Sequence, residues 1–452
     1  MDNYGIISIL PVLVVIVTAV ITKRALESLF LGTITAAIII AKAAFWGTWF
    51  EHTISEVGAN AGYIIMFGMF GAFIRILDTS GAAMGFADIG VKVANGPKKT
   101  QIFAWILGII IFVEDYLNAL GVGVAMRTLT DRWKISREKL SFIVNSTGAA
   151  VCVLVPFSTW GVLYCTQIDQ VGAFDNMTGV QAYVHSIPFM LYSWIAVIIV
   201  PLFILKVIPL FGPMKQAELR AQNEGKVFPE WYYEDKEEVE ELENTQKKCS
   251  AINFIIPMIV LCVIAIKTGD ITLAVIISCV VTFLMLAVQR KMSLAEFCDC
   301  ILGGFSDMMY VTMLVLMAFE LATFNDELGL TPFVIDAVQP VMSPALLPVV
   351  SFLVVAALSF ATGSFWGVAA ISFPIILPLA IALGTNPFIA IGAVASATSF
   401  GSHACFYSDA VTVTCAATGI KNIDYAKTSI PLIMLPFALG VIAFAIVGFV
   451  FN

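Results

Sequence analysis

Apolar stretches of eighteen or more residues follow one another from 5–22 to 428–451, each long enough to cross about 30 Å of hydrocarbon as one helix. The pattern predicts helices; barrel strands would be half as long and would alternate apolar with polar positions. Two stretches carry the same polar interruption. Asn145-Ser146-Thr147 is followed by Ser158, and Ser396-Ala397-Thr398 by Ser408-Asp409, with 396 − 146 and 408 − 158 both giving 250. Hydroxyls, amides and a carboxylate are costly inside such segments, so their recurrence predicts a solute site between two related halves, the pattern of a secondary transporter.

Composition removes the alternatives to a membrane protein. The 452 residues are 60% hydrophobic and 12% charged, with mean hydropathy +0.94, and a soluble domain of that make-up would have an apolar surface. The net charge of −8 gathers partly in 212–250, where Glu234-Asp235-Lys236-Glu237-Glu238 and Glu240-Glu241 predict a solvated acidic connector on the cytoplasmic side. Nine cysteines are scattered through apolar segments and read as small buried hydrophobes. The first residues, Met1-Asp2-Asn3-Tyr4, lack basic character, so the first apolar run is expected to be a retained span.

Basic residues orient the spans, because Lys and Arg of short loops stay on the cytoplasmic side. They cluster at Lys23-Arg24, 92–99, 127–139, 215–248, Arg290-Lys291 and 421–427. Segment 100–126 has basic clusters at both ends and Glu114-Asp115 at its middle, which predicts a re-entrant hairpin. Residues 1–211 then hold five crossings and one hairpin. Tyr63, Met66 and Phe86 recur as Tyr310, Met313 and Phe333, so 251–452 is expected to repeat the scheme; five is odd, so the copies are inverted, with both termini outside. The loop Lys23-Arg24 is basic where its equivalent Lys267-Thr268-Gly269-Asp270 is not, and the reverse holds for the loop Phe50-Glu51-His52 against Arg290-Lys291, which agrees with inversion. The second hairpin, 343–384, has its tip at Thr362-Gly363-Ser364-Phe365-Trp366-Gly367. The expected fold is thus all-α: an inverted repeat of five transmembrane helices plus one re-entrant hairpin each, about ten spans and two hairpins, divided as 1–211, 212–250 and 251–452.

Glu114 and Asp115 are the strongest candidates for chemistry. Each buried carboxylate costs roughly 2.5–3.5 kcal/mol on insertion scales and adjacent ones repel, so the pair is expected to hold a proton or a cation. The alternative is a water-filled vestibule or a structural ion pair. Asn118, one turn on, offers an amide oxygen, and Asp409 beside Ser408 offers a carboxylate where the second interrupted span opens, so Na+ is expected on Asp115, Asn118 and Asp409. Asp409 is otherwise a helix cap. His403 either relays protons or bonds across the break. Asn145, Ser146, Thr147, Ser158, Thr159, Thr362, Ser364, Ser396, Thr398, Ser402 and Ser408 are candidate solute or cation ligands, although hydroxyls often bond back to their own helix. Phe365, Trp366, Phe406 and Tyr407 are candidate pocket walls, and Arg75 and Glu320 are expected to snorkel from span ends.

At these residues the chain resembles the NhaC-type Na+/H+ antiporter family of the Ion Transporter superfamily. The resemblance lies in Phe112-Val113-Glu114-Asp115-Tyr116-Leu117-Asn118-Ala119-Leu120, Ile135-Ser136-Arg137-Glu138-Lys139-Leu140, Asn145-Ser146-Thr147 with Pro156-Phe157-Ser158-Thr159-Trp160-Gly161, and Gly401-Ser402-His403 with Ser408-Asp409, and it covers nearly the whole chain. It implies Na+/H+ exchange or, in some members, organic-anion exchange, by a transport domain moving against a scaffold in a homodimer. Three positions depart from the pattern: Glu114-Asp115 stands for two aspartates, and Asn145 and Ser402 stand where the family has acids. Fewer fixed charges leave room for a solute with its own carboxylate.

The leading expectation is exchange of Na+ for H+ in a bacterial-type plasma membrane, with lipid and a small cation as partners, no nucleic acid and no resident cofactor. The alternative is a Na+- or H+-coupled carrier of a small organic anion or amino acid. An intramembrane enzyme using Ser146 or Ser158 with His403, or Cys152 or Cys405, has no supporting local motif, and hairpins with repeats favour alternating access over a channel.

Overall fold

A computed structural model of the chain describes residues 4–22, 24–82, 95–174, 176–234, 249–268, 270–338, 340, 342–363, 365–406 and 408–451. The regular elements among them are all helices. Six are long and apolar enough to cross a membrane, or up to eight if each of two bent pairs counts as one span.

The chain opens with α1 (Leu10–Thr22), α2 (Ala25–Ala41), α3 (Phe45–Ala59) and α4 (Ala61–Thr79). Then come α5 (Pro97–Ile110), α6 (Asp115–Arg132), α7 (Arg137–Thr147), α8 (Ala149–Leu154), α9 (Thr159–Val171), α10 (Gly179–Ser186), α11 (Leu191–Ile204) and α12 (Gly212–Glu224). After the connector follow α13 (Ile252–Thr268), α14 (Ile271–Val288), α15 (Leu294–Asp307), α16 (Met309–Glu327) and α17 (Leu330–Val338). The chain closes with α18 (Leu347–Thr362), α19 (Phe365–Leu383), α20 (Pro387–Ala404), α21 (Asp409–Thr418) and α22 (Asn422–Val450).

One group is formed by α1–α4 with α13–α16, in which α2 lies on α16 and α4 on both α14 and α15. The second group is built around four interrupted elements. Helices α5 and α6 turn back on each other through residues 111–114, and α18 and α19 through the left-handed Gly363 at φ +66°. Both turns fall at the tips expected from the sequence. The α7–α8–α9 rod breaks at Gly148 and again at 155–158, and α20–α21 breaks at 405–408. Among these elements α6 packs on α21, and α9 on α19.

Small residues let α4 and α15 of the first group touch closely. Added Cβ atoms on Gly71 or Gly304 would run into the backbone of the facing helix, and one on Gly68 into the Phe305 ring.

Three expectations change. The segment around Phe50-Glu51-His52, read as a loop, forms α3, because its polar residues find partners on α16: His52 Nε2 meets Glu327 Oε1 at 3.0 Å, Thr53 donates to Glu320 at 2.9 Å and Thr323 donates to Glu56 at 2.8 Å. Glu320 is therefore fully buried within α16 and does not snorkel. Arg75, half exposed near the end of α4, pairs its guanidinium with Asp307 of α15 at 2.7 Å. The first part of the connector is docked: Glu218 of α12 is buried, accepts from Lys139 at 3.1 Å and from the Ser136 backbone N–H at 2.9 Å, while Arg220 donates to both Glu138 oxygens. The acidic run from Asp235 to Glu241 lies outside the described residues.

Gly304→Val should lower the unfolding midpoint in detergent, at about 1–3 kcal/mol for overpacking, whereas Gly58→Ala, which meets nothing within 4 Å, should leave it level or slightly raised. Equal midpoints for both variants would contradict the close α4–α15 contact.

Candidate functional site

The site assembles where the first turn meets the first broken rod. Glu114 caps α6 by accepting from the Leu117 N–H at 2.7 Å, the role expected of an acidic N-cap. Glu114 and Asp115 are only 2% and 4% exposed. Asp115 lies beside the Gly148 break, whose position for a Cβ is 3.7 Å from the Asp115 Cβ. Asn118 joins the two elements: its amide N–H2 donates to the carbonyls of Gly108 at 2.6 Å, Ile111 at 2.9 Å and Thr147 at 3.2 Å. Its Oδ1 is buried without a hydrogen-bond partner among the described residues. The Thr159 N–H donates to the Val113 carbonyl at 2.9 Å, tying the start of α9 to the same turn.

Serines cap both helices that restart after a break. Ser158 accepts from the Gly161 N–H at 2.9 Å and donates to the Cys152 and Val155 carbonyls, and Ser408 accepts from the Val411 N–H at 3.3 Å. Their first role is therefore backbone satisfaction. Thr147 bonds back to Ile143 and Val144, and Thr362 to Leu358. Thr398 meets Tyr164 at 2.5 Å, while the hydroxyls of Thr159, Ser396 and Ser402 are buried without a hydrogen-bond partner among the described residues.

His403 is held through both ring nitrogens and its carbonyl. Its Nε2 meets Ser146 Oγ at 2.9 Å and its Nδ1 meets Tyr192 Oη at 2.8 Å, while its carbonyl accepts from Asn145 at 3.0 Å and Tyr425 at 2.8 Å. The Asn145 amide also donates to Tyr425 Oη at 2.6 Å. The arrangement favours the cross-break reading of His403 over a mobile proton relay. Asn145 acts here as a donor, which an acid at this position does only when protonated.

Glu114 and Asp115 face different surroundings. Glu114 lines a cavity of about 480 Å³ with Tyr116, Arg75, Asp307, Tyr310 and Trp366 among its other walls. Trp366 and Phe365 also pack on Trp160 of α9, at 5.2 and 5.8 Å between ring centroids. A smaller recess of about 90 Å³ opens between α9, α16 and α19, lined by Gln170, Thr323, Asn325 and Pro374 among others.

Of the expected residues, the structure brings Glu114, Asp115, Asn118, Thr147 and Thr159 to one centre, and Asn145, Ser146 and His403 to an adjoining one. Phe406 is half-buried at the second break. Ser364, Tyr407 and the Asp409 side chain lie outside the described residues, and Asp409 is placed only as the first residue of α21. Sequence reasoning missed Tyr192, Tyr425 and Tyr164, single aromatics indistinguishable from core. It also undervalued Arg75 and Asp307, whose charges inside apolar stretches were the available signal.

Asn145→Asp should lower the unfolding midpoint at neutral pH, since a carboxylate would face the His403 carbonyl with no proton to give; the expected cost is about 1–3 kcal/mol. An unchanged midpoint by thermal unfolding would contradict this role.

The family model described as "Na+/H+ antiporter family" matches residues 151–451, which include the second turn and second broken rod but not Glu114 and Asp115. An uncharacterized protein of Haemophilus influenzae is 24% identical over 491 aligned positions, covering 98% of this chain and 91% of that protein. Among solved structures, the YdaH transporter of Alcanivorax borkumensis superposes with a TM-score of 0.66 at 10% identity, covering 90% of each chain. Neisseria gonorrhoeae MtrF, described with a class of antimetabolite efflux pumps, gives 0.60 at 14% identity, covering 91% of this chain and 86% of that one. These structural likenesses establish a shared transporter fold, and with most of its length matched by the family model, the chain belongs to the Na+/H+ antiporter family and is a secondary membrane transporter, not an enzyme.

Proposed function

We propose that this transporter exchanges Na+ for H+, with Glu114 and Asp115 as the coupling carboxylates. The observation that carries the reading is their burial at the turn between α5 and α6, against the Gly148 break. Hard cations take carboxylate, amide, hydroxyl and carbonyl oxygens, and Asp115, Asn118 Oδ1, Thr159 Oγ1 and the backbone freed at the break supply that mixture. Among the described residues no three His, Cys, Asp or Glu side chains cluster as for a metal. In this reading Na+ takes neutral oxygens as well as carboxylate, with Asp409 as a further ligand from the second rod.

The inverted repeat belongs to the same proposal. Matching contacts support it: α1 on α2 as α13 on α14, α2 on α16 as α14 on α4, α6 on α21 as α19 on α9, and α7 on α22 as α20 on α11. The turns and rods then form a unit that slides against α1–α4 and α13–α16, and the unequal recesses of about 480 and 90 Å³ on that boundary are what a one-sided state of an elevator would show. Ten spans with two hairpins, outside termini, a homodimer and a bacterial plasma membrane complete the proposal, resting on the sequence resemblance.

One observation favours a second reading, a coupled carrier of a small organic solute. The larger cavity lies within the range of about 300–1,000 Å³ typical of small-molecule sites. It offers one guanidinium, several carboxylates and aromatic walls, a set suited to an amino acid or another solute with both charges.

Asp115→Asn should abolish Na+-driven proton movement in reconstituted vesicles, or raise the Na+ needed by about tenfold or more, while size-exclusion behaviour stays that of wild type; an unchanged Na+ response would contradict the coupling role. Arg75→Gln separates the readings. Solute-free exchange persists in this variant if Na+ and H+ are the only cargo, whereas a flux seen only with an added amino acid or organic acid, and lost in the variant, would establish the second.

A further inference from the structure

A second cavity, of about 420 Å³, lies away from the breaks. It forms where the start of α5, the α6–α7 loop, the end of α11 and the docked connector meet. Lys98, Lys139, Lys206 and Lys215 line it, opposed by the single carboxylate of Glu218. Glu218 is already committed to Lys139, Ser136 and Gln222. Lys98, Lys206 and Lys215 enter no ion pair among the described residues. Lys206 also lies near enough to Lys139 for their like charges to interact.

The backbone adds to the positive field. Helix α5 begins at this cavity, with Pro97 and Lys98 in its wall, and has no side-chain cap, while α12 runs along it from Lys215. Uncapped helix N-termini present N–H groups and positive dipole ends to anions. Lys206 holds a left-handed conformation at φ +65° just past α11, a position glycine adopts at lower cost. Gln101 supplies an independent indication of a ligand. It is 4% exposed and lines the cavity, yet its Oε1 has no hydrogen-bond partner among the described residues, while its N–H2 donates to the Pro97 carbonyl.

The remaining wall is apolar, with Trp133, Phe203, Ile204 and Leu210. Leu205, Val207, Phe211 and Leu219 are exposed around it. An anion site opening onto exposed apolar surface matches an amphiphile better than a soluble ion.

We propose that this cavity binds the headgroup of an anionic glycerophospholipid of the phosphatidylglycerol type, at the cytoplasmic face. Its phosphate sits among Lys98, Lys206, Lys215 and the start of α5, its glycerol hydroxyl donates to Gln101 Oε1, and its chains run along the apolar wall. The bound lipid bridges the first turn, the first rod and the connector.

Native mass spectrometry of the delipidated full-length protein, titrated with phosphatidylglycerol, phosphatidic acid, phosphatidylcholine or inorganic phosphate, tests this. Wild type should retain phosphatidylglycerol over phosphatidylcholine, and Lys206→Gln/Lys215→Gln should bind it roughly thirtyfold more weakly. Lys42→Gln/Lys267→Gln, which removes the same charge elsewhere, should bind as wild type. Gln101→Met should lose the preference for the glycerol headgroup over phosphatidic acid. Both lysine variants are exposed substitutions, and an unchanged unfolding midpoint confirms their fold. Equal phosphatidylglycerol binding by all variants would overturn the site, and competition by inorganic phosphate at similar concentration would overturn its assignment to lipid.

Discussion

The Asn118 amide is the contact on which the rest of the arrangement depends. A helix broken inside an apolar bundle leaves carbonyls and N–H groups that neither water nor lipid can satisfy. Two N–H donors here serve three carbonyls, from the end of α5, the following turn and the end of α7, so one donor is shared. This crosslink fixes the turn against the Gly148 break and leaves the amide oxygen unspent. Close approach is possible because position 108 is glycine: a Cβ there would run into Thr147 Oγ1. The Thr159–Val113 bond and the serine caps at 158 and 408 meet the same constraint at the other breaks. Oxygen-rich centres in this fold are consequences of solving a backbone problem, and ion chemistry uses what that solution leaves over.

A second lock holds the two rods together. Asn145 and Ser146 of α7 reach His403 of α20, and Tyr192 of α11 and Tyr425 of α22 close the ring. Buried networks of this kind are rigid when complete. They suit a body that moves as a unit, with glycine-lined contacts such as Gly71–Gly304 stiffening the other group.

Much of this was legible in the sequence because polar residues in hydrocarbon-length segments are informative wherever they occur. The turns at 111–114 and 363, and the breaks near 148, 155–158 and 405–408, follow from acids, glycines, prolines and serine caps with defined local chemistry. Pairwise recognition between distant helices was not legible. Nothing local distinguishes Tyr192 from a core tyrosine, and nothing in His52-Thr53-Ile54-Ser55-Glu56 announces that these polar groups will be used by α16. The same lack hid the buried place of Glu320 and the Arg75–Asp307 pair. Connector helix α12 was misjudged because its strong acidic run lies further on, while Met214, Ala217 and Ala221 form a buried face too short to stand out.

Proton release on Na+ binding tests the central claim most directly, namely that the carboxylates at the first turn exchange one ion for the other. Purified protein in weakly buffered detergent, titrated with NaCl against choline chloride, should release protons as Na+ binds, and Glu114→Gln/Asp115→Asn should release none while keeping its fold. Equal release by the double variant, or Na+ binding without any release in wild type, would contradict the account.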